Sequence, residues 1–436
     1  MTKQIVAIHV GQCGNQIGVA LWQSLLQEYA ERFRVSKSEK NPVYDSSMAS
    51  VFCNTESSSG EHFGIGSHVS KLRARAVLVD MEENVISQSL RSSICEIFDS
   101  RQIVSDVSGS GNNWACAYMH YGQVHGEAIL DSIRREVELC DDPCDAFLMT
   151  ASIMGGTGSG LGSFILESLS NFYPKISRNF LSVVPSCTSD DVVTAPYNAV
   201  LALSKMKEFA STIIPVDNSA LSINCKDGGF GDINSVISNM FIDISAPARF
   251  KRELHYDLSD LGRRLVPSPD LNFLIPSTDP KASFPRDVRM QAKAFDEMFA
   301  EIHRKENCLL SVDTKKATTA AFGMSVRVGS SAVGIHDVYR NVDRLERHFP
   351  RTTRFDNHTL LGVTKSFSSR SSMCILINSS AIVKILKSIR ERFDRMHFRR
   401  AHLHHYAEYM DLEEFETAAH ALDQTIREYS KMKTLS

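Results

Sequence analysis

Residues 151–163 read ASIMGGTGSGLGS and place five glycines in thirteen positions between two apolar runs. The run before them, DAFLMTASI at 145–153, predicts a buried strand, and the apolar positions from Phe164 to Phe172 predict a helix. Glycine costs about 1 kcal/mol relative to alanine within a helix, so its repetition indicates that the backbone must come close to something. A helix N-terminus after a strand offers free N–H groups and a partial positive charge, so we expect a phosphate-binding turn here.

Strands and helices alternate through the first half of the chain. IVAIHV (5–10), RAVLVD (75–80) and NFLSVVPS (179–186) are typical of buried strands, while GQCGNQIG (11–18) predicts a turn and VALWQSLLQEYA (19–30) a helix. This alternation predicts an α/β fold with a parallel sheet covered on both faces.

The rest of the chain is more mixed. The Ser- and Gly-rich residues 46–67 predict a surface loop. Further elements are expected as helices near 233–245 and 288–303, strands at 272–277 and 373–378, and helices from about residue 380 onward.

Glycine-rich segments follow three of the predicted strands: residues 11–18, SGSGNNWA at 108–115, and residues 155–162. Ligands of parallel α/β sheets bind beyond the carboxyl ends of the strands, so these three segments are expected to converge on one phosphate site. Neither G-x-x-x-x-G-K-[ST] nor G-x-G-x-x-G after the first strand occurs, which argues against a Walker-type or a dinucleotide-binding loop.

Two carboxylates end another predicted strand. Asp80 and Glu82 stand in VLVDMEEN, one residue apart. Carboxylates beside a phosphate site suit Mg²⁺, a hard cation that takes oxygen ligands. A solvated acidic turn is the alternative interpretation.

Composition excludes several classes of function. The net charge of the 436 residues is −3, so no basic field favours nucleic acid as a partner. The chain contains no run of about 18 apolar residues, so we expect no membrane span. The apolar stretch near its start is too short for a secretory signal. The ten cysteines are scattered, with only Cys140 and Cys144 close together, and we expect reduced thiols rather than a disulfide framework or a zinc site.

The three glycine-rich segments, in this order and spacing, resemble those of the tubulin family. VTAPYNAVLAL (193–203), SAPARF (245–250) and DLSDLGRRLVPSP (257–269) extend the resemblance over essentially the whole chain. It implies a parallel-sheet GTPase domain at 1–219, a mixed-sheet intermediate domain at 220–379 with an activating loop at 257–260, and a C-terminal helical layer at 380–436.

The resemblance also implies GTP or GDP with Mg²⁺ as the ligands, and it assigns a site. Phosphate contacts are expected from Gly11, Gln12, Cys13, Gly109, Ser110, Gly111, Asn112, Ser152, Gly155, Gly156, Thr157 and Gly158. Asp191 is expected at the ribose, Asn218 and Asn234 at the guanine edge, Phe230 stacked on the base, and Asp80 and Glu82 at the metal. An amide carries both a donor and an acceptor, which suits guanine, although without the resemblance both asparagines would be interpreted as turn residues.

Hydrolysis in this family needs a second subunit, whose activating loop completes the site. Asp260 matches the acid that polarises the attacking water, and the usual residue is a glutamate, one methylene longer. Without the resemblance, a surface acid on a turn would be the favoured interpretation of Asp260.

LRARAVLVDMEE (72–83) and AHLHHY (401–406) are most similar to the epsilon branch of the family, whose members belong to centrioles and basal bodies. The expected partners are other tubulin-family subunits and centriolar or basal-body proteins, in the cytoplasm, the cytoskeleton and the centrosome. Two alternatives stay open: a non-polymerising scaffold that keeps GTP as a structural ligand, and a nucleotide-dependent metabolic enzyme of another class.

Overall fold

The computed structural model describes residues 3–36, 42–56, 61–82, 86–87, 91, 94–185, 192–223, 229–251, 254–279, 288–329, 334–347, 358–367 and 371–433. Its strands, in chain order, are β1 (Gln4–Val10), β2 (Phe52–Thr55), β3 (His62–Phe63), β4 (Lys71–Ala74), β5 (Ala76–Asp80), β6 (Ile103–Ser105), β7 (Cys144–Ser152), β8 (Ser177–Val183), β9 (Thr212–Val216), β10 (Ile275–Thr278), β11 (Thr319–Val328), β12 (His358–Lys365) and β13 (Ser372–Ser379).

The α-helices of the same residues are α1 (Gly11–Ser36), α2 (Ser46–Ala49), α3 (Gly122–Glu138), α4 (Gly156–Phe172), α5 (Ala195–Phe209), α6 (Asn218–Ile223), α7 (Phe230–Arg249), α8 (Leu258–Leu265), α9 (Val288–Glu301), α10 (Ile335–Glu346), α11 (Val383–Phe398), α12 (His404–Ala407) and α13 (Glu413–Lys433). A π-helical turn, Cys116–Tyr121, leads into α3.

A six-stranded sheet in the order β6-β5-β1-β7-β8-β9 forms the first half of the molecule, and every pairing in it is parallel. All residues of β1 are buried. Val6, Ile8 and Val10 pack into one apolar cluster and Ile5 and Ala7 into another, because successive side chains of a strand point to opposite faces. Burial on both faces explains why the strands read as continuous apolar runs, and the predicted α/β fold is confirmed.

The prediction of a turn at 11–18 was wrong. Helix α1 begins at Gly11, directly after β1, and takes in the whole segment. Gly14 and Gly18 lie inside the helix because side chains there would collide with the neighbouring strands. An added Cβ would lie 2.2 Å from the Thr150 carbonyl oxygen at Gly14 and 2.6 Å from the His9 ring at Gly18.

The prediction of a surface loop at 46–67 was also wrong. Helix α2 and strands β2 and β3 lie in this segment, and β2 pairs with β3 and β4 in a small antiparallel sheet. Met48 and Phe52 are fully buried. The polar composition misled because Asn54 is buried too, where its side-chain amide bonds the backbone of His68 and Ser70.

A second, mixed sheet in the order β10-β13-β11-β12 follows. A buried ion network joins it to the first half. Glu28 of α1 binds both Arg249 of α7 and Arg327 of β11, and Arg327 also lies 3.3 Å from Asp243. Buried charges are stable only when paired, so this network fixes α1 and α7 against the second sheet.

The C-terminal helices pack on α5, where the ring of Tyr197 meets those of Phe393 and Phe415. The domain boundaries at 219/220 and 379/380 stay predictions. Within the described part of the chain, no helix is both long enough and apolar enough to cross a membrane.

Candidate nucleotide site

A cavity of about 680 Å³ opens beyond the carboxyl ends of β1, β5 and β7. Its volume lies in the usual range for small-molecule and cofactor sites. All three glycine-rich segments contribute to its wall. The predicted residues that line it are Gly11, Gln12, Cys13, Asp80, Glu82, Ser110, Gly111, Asn112, Ser152, Gly155, Gly156, Thr157, Gly158, Asn218, Phe230 and Asn234.

Two helix N-termini form the floor of this cavity. Helix α1 starts at Gly11 and α4 at Gly156, and the first turns of both line the space. The residue before α4, Gly155, provides no side-chain cap. The first N–H groups of a helix have no partner within it, so these turns offer donors and positive potential to an anion.

Two of the glycines are required by packing within the protein itself, and not only by the approach of a ligand. At Gly156, an added Cβ would lie 2.3 Å from Ser110 Oγ and 2.6 Å from the Asn113 nitrogen. At Gly158 it would lie 2.7 Å from the Ser152 carbonyl oxygen. Bare backbone is therefore required here so that α4 can pack against the 110–113 loop and the end of β7, in addition to any approach by phosphate.

Asn198, which sequence reasoning did not single out, holds two of the three segments together. Its amide nitrogen donates to the carbonyl oxygens of Asn112 (2.8 Å) and Met154 (2.9 Å). Its oxygen accepts from the Trp114 nitrogen (3.0 Å) and the Tyr406 hydroxyl (2.6 Å). Four hydrogen bonds on one buried amide fix the relative position of the loops, a role that no local sequence signal identifies.

Asp80 presents an incompletely satisfied carboxylate. It is 2% exposed, and its Oδ2 has no hydrogen-bond partner among the residues described. Burial, with a smaller contribution from the charge of Glu82, raises the pKa of Asp80 to about 7. A buried carboxylate oxygen without a partner, next to an exposed Glu82 in the same cavity, fits the binding of Mg²⁺ through one or two carboxylates.

Comparison with known proteins identifies the family. The model for the Tubulin/FtsZ family, GTPase domain, matches residues 4–226. The chain belongs to the tubulin family.

Among curated tubulins, this chain is similar to the tubulin epsilon chain of Mus musculus, with 33% identity over 471 residues that cover 99% of this chain and 96% of the relative. It is likewise similar to the tubulin epsilon chain of Homo sapiens, at 32% identity with the same coverage. The tubulin beta-2 chain of Suillus bovinus is 30% identical, again over 99% and 96%. Membership of the tubulin family implies that the chain binds GTP or GDP.

The residues predicted to contact the base also line the cavity, near the N-terminal ends of two helices. Asn218 begins α6 and Phe230 begins α7, with Asn234 one turn further along. The Phe230 side chain is 66% exposed, which leaves a ring face open for stacking. Residues 218–223 form a short helix.

The remaining predicted residues differ in how they relate to the cavity. Gly109 is not among the lining residues, but its nitrogen donates to the Met81 carbonyl (2.8 Å), which ties the 109–112 loop to the strand end that carries Asp80. Asp191 lies outside the described residues. Burial raises the pKa of Cys13 to about 12, so its thiol is neutral at the cavity wall.

The sequence analysis missed Gln16 and Ile17, which line the cavity one helical turn beyond Gln12 and Cys13. A signal for them existed, because residues four apart share a face of a helix. The glycines of the segment favour a turn, which hides this helical periodicity.

Asp260 lies far from the tubulin cavity of its own chain. Ser259, its neighbour, donates from its nitrogen (3.0 Å) and its hydroxyl (2.8 Å) to Asp145, at the amino end of β7. The cavity is reached seven residues later, at Ser152, which corresponds to roughly 20 Å along a strand.

The predicted activating loop at 257–260 is in part a helix. Asp257 is the N-cap of α8, and Asp260 completes a capping box in which its Oδ2 accepts from the Asp257 nitrogen (2.9 Å). Oδ1 of Asp260 lies 3.3 Å from Arg263. The acid is thus held by its own chain, on a face remote from the cavity.

Proposed function

We propose that this chain binds GTP in the cavity and supports its hydrolysis across a longitudinal contact between tubulin-family subunits. The observation that carries the proposal is that the cavity and Asp260 lie at opposite ends of the same sheet. The carboxyl end offers two helix N-termini and a glycine-lined cavity, and the amino end presents Asp260 at the start of α8. Subunits stacked end to end would bring Asp260 of one chain to the nucleotide of the next.

Within one chain, the phosphates would lie on the first turns of α1 and α4. The hydroxyls of Ser110 and Thr157 share a hydrogen bond of 3.0 Å, so one of them would remain free to donate to a phosphate from the side of the cavity. The backbone of the 109–112 loop would face the terminal phosphate, so its position would differ between bound triphosphate and diphosphate.

Asp80 and Glu82 would hold Mg²⁺, whose charge offsets that of the β- and γ-phosphates when it is bound. Asn218 and Asn234 would bond the guanine edge, Phe230 would stack on the base and Asp191 would reach the ribose. Ala195 stands where the family often carries a glutamate, so fewer ribose contacts are expected.

At the contact, the carboxylate of Asp260 would orient and polarise the attacking water of the neighbouring subunit. The single chain lacks this group at its own nucleotide, so we expect very slow turnover in the monomer. The similarity to epsilon chains supports a place in the cytoskeleton, at centrioles or basal bodies, with the proteins of those structures as partners.

One observation favours a second candidate, a scaffold that keeps GTP as a structural ligand. Both carboxylate oxygens of Asp260 are engaged within the chain, one in the capping box and one beside Arg263. A carboxylate used to begin a helix is less available to polarise water.

The test is to release and identify the nucleotide of the purified protein, then to measure hydrolysis over a range of protein concentrations. Guanine nucleotide with turnover that rises more steeply than protein concentration supports the proposal. Guanine nucleotide with flat, negligible turnover favours the scaffold, and nicotinamide or adenine nucleotide would overturn both.

A further inference from the structure

A pair of cysteines flanks the turn between α3 and β7, away from the nucleotide cavity. Cys140 follows the end of α3 and Cys144 is the first residue of β7. Both side chains are partly exposed; the Cys140 thiol donates to the carbonyl oxygen of Glu136 (3.3 Å) and the Cys144 thiol to that of Ala146 (3.8 Å). Nothing in the proposed function uses either of them.

A buried guanidinium lies against this pair. Arg75 is completely buried, and its Nη1 lies 3.8 Å from the sulfur of Cys140 and 2.8 Å from the carbonyl oxygen of Leu139. Its Nη2 is 3.4 Å from Asp141, and its Nε donates to the carbonyl oxygen of Ala49 at 3.0 Å. A buried positive charge requires nearby negative charge, and Asp141 supplies part of it through this long hydrogen bond.

The two sulfurs are therefore not equivalent. The neighbouring Cys144 thiol and the charge of Arg75 lower the pKa of Cys140, while the neighbouring Cys140 and burial raise the pKa of Cys144. Thiolates rather than thiols are the nucleophiles in sulfur chemistry. Cys140, whose sulfur is in contact with the Arg75 guanidinium, is thus the thiol favoured to attack, and Cys144 follows it four residues later.

We propose that Cys140 and Cys144 form a redox-active dithiol that hydrogen peroxide converts into a reversible disulfide. The Cys140 thiolate attacks one peroxide oxygen, the O–O bond breaks, and hydroxide leaves and takes up a proton as water. The sulfur of Cys144 then attacks the resulting sulfenic acid, an S–S bond forms, and the S–OH group leaves with the Cys144 proton as a second water. The two thiols lose two electrons and two protons, and peroxide gains them.

The bridge would act on the amino end of the sheet. Cys144 precedes Asp145, whose carboxylate holds the first turn of α8 through Ser259 and also lies 3.0 Å from Lys3. A disulfide across residues 140–144 would restrain the turn from which this carboxylate is placed. Oxidation therefore modifies the same end of the sheet that carries Asp260.

The experiment exposes the native, nucleotide-containing protein to a small molar excess of hydrogen peroxide, then blocks remaining thiols with an alkylating reagent and maps the fragments by mass spectrometry. The fragment with residues 140 and 144 is expected to lose two hydrogens and to regain both alkylation sites after treatment with dithiothreitol. Cys95, a partly exposed thiol in another segment, is the internal control. Cys140 is expected to react on the order of tenfold faster than Cys95.

Two variants separate the roles of the sulfurs. Cys144→Ser should form no bridge and should leave a sulfenic acid at Cys140 that dimedone captures, whereas Cys140→Ser should remove the fast reaction. Cys95→Ser should leave the bridge unchanged. Reaction of Cys140 no faster than that of Cys95, or a bridge that forms only after denaturation, would overturn the proposal, and neither result depends on nucleotide hydrolysis.

Discussion

The two ends of the six-stranded sheet differ in how their charged groups are partnered. At the carboxyl end, polar groups are left without protein partners: Asp80 Oδ2 is buried and unbonded within the described chain, and α4 starts without a side-chain cap. At the amino end, charges neutralise one another: Lys3 lies 3.0 Å from Asp145 and 3.3 Å from Asp257. At the carboxyl end these groups face an open cavity and are available to a ligand, while the paired charges of the amino end lie beside the helix that carries Asp260.

A substitution that disrupts the cavity at the carboxyl end should have the largest effect on stability and on bound nucleotide. Gly158→Val would place a Cβ 2.7 Å from the Ser152 carbonyl oxygen, which is backbone and cannot move aside. Such overpacking costs about 1–3 kcal/mol, and more where backbone is the obstacle. Loss of bound nucleotide would remove a further ~4 kcal/mol of stabilisation at a ligand concentration about a thousand times Kd. Together these losses approach the whole stability of a domain, so we expect insoluble or nucleotide-free protein.

Nucleotide content and yield after purification measure this effect. Gly162→Ala is the matched control on the same helix, because an added Cβ there has its nearest contact, with Phe180, at an ordinary 3.5 Å. A soluble Gly158→Val protein with full nucleotide occupancy would contradict the cavity as described.

The amino end is tested at Asp260, without touching the chain's own nucleotide. Asp260→Asn keeps an oxygen that can accept from the Asp257 nitrogen, so the capping box and α8 should persist while the negative charge is lost. A group that polarises water contributes about 100- to 10,000-fold to a rate. We expect a loss of that order in single-turnover hydrolysis, only in mixed assemblies where this face covers a partner's GTP.

Asp260→Glu restores the usual family length and should keep or raise that rate. GTP affinity of each variant should equal that of the parent, because Asp260 does not reach its own cavity. Hydrolysis by Asp260→Asn assemblies as fast as by the parent would remove the catalytic role and favour the scaffold.

A buried histidine makes the carboxyl end sensitive to acid. His9, fully buried in β1, accepts from Trp22 Nε1 (3.1 Å) and bonds Thr150 Oγ1 through its other nitrogen (2.5 Å), with no carboxylate beside it. Burial lowers the pKa of His9 to about 3. The unfolded chain binds the proton near pH 6.5 and the folded chain does not, so the stabilisation is full above pH 6.5 and is lost as the pH falls towards 3.

Between pH 7 and pH 5 this linkage predicts a loss of about 2 kcal/mol in the free energy of unfolding. His9→Gln, which cannot be protonated, should be less stable at pH 7 but should lose less on acidification. Equal pH slopes in parent and variant, measured by denaturant unfolding, would exclude His9 as the acid-sensitive group.

The same two ends show what sequence reasoning reaches and what it does not. Continuous apolar runs such as IVAIHV and glycine-rich segments after strands predicted the parallel sheet and most of the cavity wall, because these signals are local. The role of Asn198 was missed, because its four partners come from segments up to 208 residues away. The state of Asp260 was also inaccessible, since a capping box depends on where α8 begins.

The smallest expected effect comes from removing a single negative charge, that of Glu82, at the carboxyl end of the sheet. Glu82 is exposed at the cavity, while Asp80 is buried, so removal of Glu82 should leave the fold and the nucleotide cradle intact. If it helps to hold Mg²⁺, Glu82→Ala should weaken GTP affinity about tenfold in the presence of magnesium and GDP affinity much less. The reason is that the γ-phosphate adds charge that the cation offsets. Titration of both nucleotides with and without a chelator measures the difference, with Glu96→Ala, an exposed acid outside the cavity, as the control. Equal losses for GTP and GDP would make Glu82 a solvated acid and leave Asp80 as the one carboxylate of this pair positioned for the metal.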